Sequence, residues 1–166
     1  MMIGGLLYVI PQATTKSLFA EGSHNEQTIK ANIKKSIRII SLLLIPAIII
    51  FLFSGKYILQ FFGKSYSSEG LNFLYLITIA SIAVSTYYIS ATLLRIKKNL
   101  YVLIITNIFY AITIIMFSYL FLPLVLVGIG IAWLLGNIVA SIIGIISFYQ
   151  WKIKKIKSQL SFFIFI

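Results

Sequence analysis

KSLFAEGSHNEQTIKANIKKSIR, residues 16–38, is the only long polar run in this chain, and the fold is read from what surrounds it. The run holds five of the fourteen Lys and Arg residues, two of the three acids (Glu21 and Glu26) and the single histidine, His24. Beyond it, apolar stretches alternate with short basic clusters. Crossing hydrocarbon as a helix takes about 20 mainly apolar residues, and four stretches come close to or exceed that length: 37–53, 71–94, 101–121 and 127–149. The expected fold class is all-α, a polytopic membrane helical bundle of four full transmembrane helices plus a partial N-terminal one.

Composition agrees. The 166 residues are 60% hydrophobic and 10% charged, with mean hydropathy +1.04, whereas soluble domains carry about 25% charged residues. A soluble fold has too little interior for so much apolar surface; lipid removes that limit. The net charge of +11 does not point to nucleic acid, because the cations flank hydrophobic spans instead of forming one polar face. There is no cysteine, which excludes disulfides and thiolate metal sites. Residues 1–20 have neither a basic leading region nor a small-residue cleavage site, so they do not read as a signal peptide.

Working outward from the polar run, residues 3–10 are apolar but are soon followed by Pro11, Gln12, Thr14, Thr15 and Lys16. Residues 1–19 read either as the last part of a transmembrane helix or as a proline-bent short span. Ser23 and Glu26 have the spacing of a capping box. The helix it would open, 20–36, is amphipathic: Ile29, Ile33, Ile37 and Ile40 share one face, and Lys30, Lys34, Lys35 and Arg38 the other. Such a cytoplasmic helix suits the headgroup level, lysines toward anionic phosphates. Pro46 in span 37–53 is either a hinge or a packing feature. Residues 54–70, rich in aromatics, suit the membrane–water boundary, with Ser68 and Glu69 placed to cap the next helix.

Span 71–94 has its polar residues three or four apart. Tyr75, Thr78, Ser81, Ser85, Tyr88, Thr92 and Arg95 therefore share a helix face. That face is either packed against another helix or the wall of a wet cavity. Span 127–149 carries a ladder of small residues, Gly128, Ala132, Gly136, Ala140 and Gly144, which lets another helix approach closely and wraps around its own. Residues 150–166 form a basic cytoplasmic tail with an apolar end. Cation-rich segments at 16–38, 95–98 and 152–157 alternate with connections that are poor in cations, which places the rich ones and the C-terminus in the cytoplasm.

SLFAEGSHNE (17–26), followed by the basic amphipathic helix and a proline-centred span, resembles the polysaccharide biosynthesis (oligosaccharide flippase) family of the multidrug/oligosaccharidyl-lipid/polysaccharide exporter superfamily. GKYILQFFGKSY (55–66), LRIKK (94–98) and GIGIAW (128–133) fit the C-terminal half of that family. Order and spacing carry the resemblance, not any one motif. It implies a transporter of twelve or more helices in two bundles that moves lipid-linked sugars across the cell membrane by alternating access. The chain departs from that pattern in lacking the N-terminal bundle, which would come from a missing N-terminal lobe or a second chain.

Three functions are compatible with the sequence. As a flippase part, the chain would attract the phosphate of a lipid-linked glycan through Arg95, Lys97 and Lys98, with Tyr88, Ser85 and Thr92 on the same helix completing a substrate site. The same cations can equally be topology anchors. As part of a multidrug exporter it would need an ionisable group at membrane depth, and no carboxylate lies inside any span. The third function is a non-transporting membrane remnant or assembly partner. Enzymatic, metal and cofactor chemistry is not expected, because three acids, one histidine and no cysteine form no suggestive cluster. Membrane lipid and the lipid-linked glycan are the expected partners.

Overall fold

A computed structural model describes residues 2–24, 28–63 and 70–164, with side-chain surroundings for 4–24, 28–63 and 70–148. Its elements are α1 (Met2–His24), α2 (Ile29–Gln60), α3 (Leu71–Ile96), α4 (Leu100–Leu120), a single 3-10 turn (Leu122–Leu124) and α5 (Val125–Ile164). No strand occurs among the described residues. The chain is an all-α polytopic membrane bundle. Ile29–Gln60, Leu71–Ile96, Leu100–Leu120 and Leu122–Phe148 are each long and apolar enough to cross a bilayer.

Several element boundaries differ from the sequence reading. The amphipathic segment 20–36 and the span 37–53 are not separate: α2 runs unbroken from Ile29 to Gln60. Nothing between them breaks a helix, and the switch from lysine-rich to apolar sequence changes the surroundings without changing backbone preference. Ser23 lies in the last turn of α1, its Oγ donating 2.6 Å to the Phe19 carbonyl. It therefore does not open α2, and Glu26, its expected partner, lies outside the described residues. Part of the apolar face of early α2 packs against α1 and α3. Ile29 is buried with Leu18, Leu93 and Ile96, and Ile33 packs on that cluster. At the other end of α2 the boundary segment is helical through Gln60 before Phe61 and Phe62 emerge exposed; Ser68 and Glu69 lie outside the described residues. The tail is not separate either, since α5 continues through it to Ile164. At 1.5 Å per residue its 40 residues reach about 60 Å, twice the hydrocarbon thickness.

Close contacts set the helix directions. A methyl group added at Gly4 would meet Ile77 and one at Gly22 would meet Ile96, so α1 and α3 run parallel. Gly130 sits against Phe73 and Leu76, and Gly144 against Ser90, so α5 also runs with α3. α2 runs against them, with Gly55 near Leu71 and Leu74 while Ile29 meets Leu93 and Ile96. α4 returns between two short turns. The cluster of Leu18, Ile29, Leu93 and Ile96, with Phe148 packed on it, gathers three cation-rich segments at one end of the bundle. α5 continues past Phe148 at that same end.

α3 is the hub. Half of its membrane window is buried, against 17% for α2 and 11% for α4, so the latter two present most of their surface to lipid. Lipid is as apolar as leucine, so close packing holds such helices together. The small-residue ladder does this work: Gly128, Ala132, Gly136, Ala140 and Gly144 are all buried. Gly136 lies under Ile114 and Tyr110 of α4, and Gly144 under Ser90 of α3, so the ladder serves two neighbours in turn. Gly128 lies against the Phe121 carbonyl, where no side chain fits. That contact lets α5 start directly after the turn.

Candidate functional site

The six residues nominated from the sequence share one helix and its following turn, but the structure divides them. Ser85 is buried and donates 2.7 Å to the Ser81 carbonyl of its own helix. Thr78 and Ser81 bond backward in the same way, to Leu74 and Thr78 carbonyls. The hydroxyl face therefore supplies few free donors; it is mostly packed between helices. Thr92 is buried within that packing. Tyr88 is half-buried and Arg95 exposed.

Lys97 and Lys98 form the turn to α4. The Lys98 N–H bonds the Arg95 carbonyl and the Asn99 N–H bonds the Leu94 carbonyl, both at 2.9 Å. This is the Schellman pattern, which normally carries glycine at its left-handed position. Here that position is Lys98, at φ 55°. A left-handed residue with a side chain costs about 1–2 kcal/mol. The fold thus places a cation where glycine would be more stable.

On the side of α3 that carries Tyr87 and Tyr88, residues from four helices meet in a row of rings. Tyr8 of α1 stacks on Trp133 of α5 with centroids 6.3 Å apart. Trp133 meets Tyr110 of α4 edge-on at 6.2 Å. Tyr110 stacks on Tyr87 of α3 at 5.9 Å and 10°, and Tyr88 follows at 6.0 Å. These are favourable aromatic geometries. Polar atoms join the row: the Trp133 indole N–H donates to the Tyr8 hydroxyl at 3.0 Å, which donates to the Ile77 carbonyl at 3.1 Å. The Tyr87 hydroxyl donates to Asn107 Oδ1. Buried Asn137 donates 2.8 Å to the Trp133 carbonyl and also meets the Tyr110 hydroxyl. Arg95 lies on the same helix about two turns beyond Tyr87. Among the described residues, no buried side-chain polar atom lacks a partner, as helices in a low-dielectric medium require.

Tyr8, Trp133, Tyr110, Tyr87, Asn107 and Asn137 were not nominated from the sequence. Two signals pointed to some of them. Asn107 and Asn137 are amides inside spans, where polar groups are expensive and functional. Tyr110 stands at the middle of α4, far from the interfacial belts where tyrosine is usual. Tyr8 and Trp133, 125 residues apart, carry no such local signal.

On the opposite side of α3 lies a cleft of about 550 Å³ between α2 and α5, lined mostly by isoleucine and leucine, with Ser85 in its floor. The chain thus holds two distinct features, an aromatic–amide row near Arg95 and an apolar cleft. Comparison with known proteins finds no matching family model, curated protein or solved structure.

Proposed function

We propose that the chain is the C-terminal portion of a membrane flippase that translocates a lipid-linked oligosaccharide for polysaccharide biosynthesis. It would work in the cell membrane with its basic end cytoplasmic, together with a further lobe or second chain. The observation that carries this reading is the aromatic–amide row, with no carboxylate in it, on the helix whose last turn carries Arg95. Ring faces and the exposed Asn107 amide suit a sugar, which offers apolar C–H faces and hydroxyls together. A guanidinium suits the phosphate or pyrophosphate of the carrier.

A drug exporter for cations is the competing reading, since rings also hold cations. Arg95 and the absence of an acid from the row weigh against it. The strained Lys98 turn adds support: backbone strain of this kind is retained where a side chain has work to do.

The test uses a complete transporter that carries this segment, in cells whose own glycan export is disabled. Arg95→Gln should lower export severalfold with membrane insertion unchanged. Lys98→Gly should lower export while raising thermal stability, because glycine relieves the turn. Unchanged export in both variants would leave these cations as topology anchors and remove the flippase reading's support.

A further inference from the structure

We propose that the cleft between α2, α3 and α5 is a binding site for an anionic phospholipid, one hydrocarbon chain lying in the cleft and the phosphate over Lys34. This inference uses only the membrane architecture and does not depend on what the protein transports. The cleft's chemistry selects the occupant. Its hydroxyls on α3 are already engaged: Ser85, Thr86 and Ser90 donate to the carbonyls of Ser81, Ile82 and Tyr87 in their own helix. What remains facing the opening is isoleucine and leucine with Phe148 and, on α2, the single hydroxyl of Ser41, a lining that suits a hydrocarbon chain far better than a sugar or a cation. The rim residues Ile45 and Ile82 are more than half exposed, so the cleft opens sideways toward hydrocarbon. Unfilled, such a space would forfeit dispersion contacts along its whole lining.

Charge fixes the polar end. Ile37, Ser41, Ile45 and Ile48 line the α2 wall at three- and four-residue spacing, and Lys34, exposed, continues that face one turn further toward the basic end. No acid occupies α2. On α3 the lining residue nearest that end is Leu93, followed one turn later by the cationic turn at Lys97. A chain in the cleft therefore leads to cations at headgroup depth, where each lysine near an anionic surface contributes about a factor of five in binding.

The experiment purifies the full chain from mixed vesicles of phosphatidylglycerol and phosphatidylcholine and counts retained lipid by native mass spectrometry. Wild type should retain a phosphatidylglycerol. Ile82→Trp should lose it by filling the opening from an exposed rim position; Ile45→Trp does the same from the other wall should the first variant not fold. Lys34→Gln should reduce the preference for phosphatidylglycerol about fivefold, while Lys56→Gln, at the opposite end of the bundle, should not. Equal retention of the two lipids by wild type, or lipid retention unchanged in both tryptophan variants, overturns the proposal. So does a dimer that the tryptophan variants dissolve, because the occupant would then be a second copy of the chain.

Discussion

Gly144→Ala offers a sharp test of how the bundle is held together. A methyl group at this position would lie 2.8 Å from Ser90 Cβ, well inside van der Waals contact between carbons, about 3.5–4.0 Å. Cβ is fixed by the backbone, so no rotamer of Ser90 gives relief; α3 and α5 must separate by roughly 0.7 Å or more. Overpacking of this kind costs about 1–3 kcal/mol. Alanine gains up to about 1 kcal/mol over glycine as a helix former, so the net loss should be about 0–2 kcal/mol. The Ser90→Gly variant removes the opposing atoms. In the double variant the steric part should vanish, giving a coupling of about 1–3 kcal/mol between the two sites. Gly5, with nothing within 4 Å of an added methyl, is the control: Gly5→Ala should be neutral or stabilising. Equilibrium unfolding in mixed micelles with increasing dodecyl sulfate, followed by tryptophan fluorescence and circular dichroism, measures all four. A coupling near zero would mean that α3 and α5 do not meet at the Gly144–Ser90 contact, and the parallel packing of these helices would be refuted.

Two further outcomes follow from the same geometry. Tyr8→Phe should orphan the Trp133 indole N–H while leaving the Ile77 carbonyl in its helix; hydrogen bonds between membrane helices average about 0.6 kcal/mol and reach about 1.7, and a double-mutant cycle with Trp133→Phe reads that coupling, whose absence would remove the α1–α5 bond. The chain has no cysteine, so single-cysteine labelling is clean: Leu122→Cys should react with a membrane-impermeant maleimide on intact cells and Lys98→Cys only after permeabilisation, and the reverse pattern would invert the orientation.

Fold class was legible because it depends on length and greasiness. Any segment such as 101–121 must cross or be buried whatever its neighbours do, and the structure moves that helix by one residue at each end. The close approach at the small-residue ladder was legible for a related reason: glycine and alanine at every fourth position admit only a near neighbour. The element ends around 20–36 and 150–166 were not legible. Lysine, arginine and leucine are good helix formers and isoleucine and phenylalanine only moderately worse, so a change in composition there marks a change of surroundings and not the end of a helix.

The candidate site divides in the same way. Sequence by itself determined that Arg95, Lys97 and Lys98 close one helix, because neighbours in the chain stay neighbours. It also determined that Ser85, Tyr88 and Thr92 share a face, since that follows from 3.6 residues per turn. Only the tertiary structure decided that Ser85 belongs to an apolar cleft and Tyr88 to a ring cluster. It alone brought Tyr8 to Trp133 across 125 residues. The physical reason is that helical periodicity acts within one helix, whereas the partner each face meets depends on how five helices share close contacts, and those contacts join residues with no local relation.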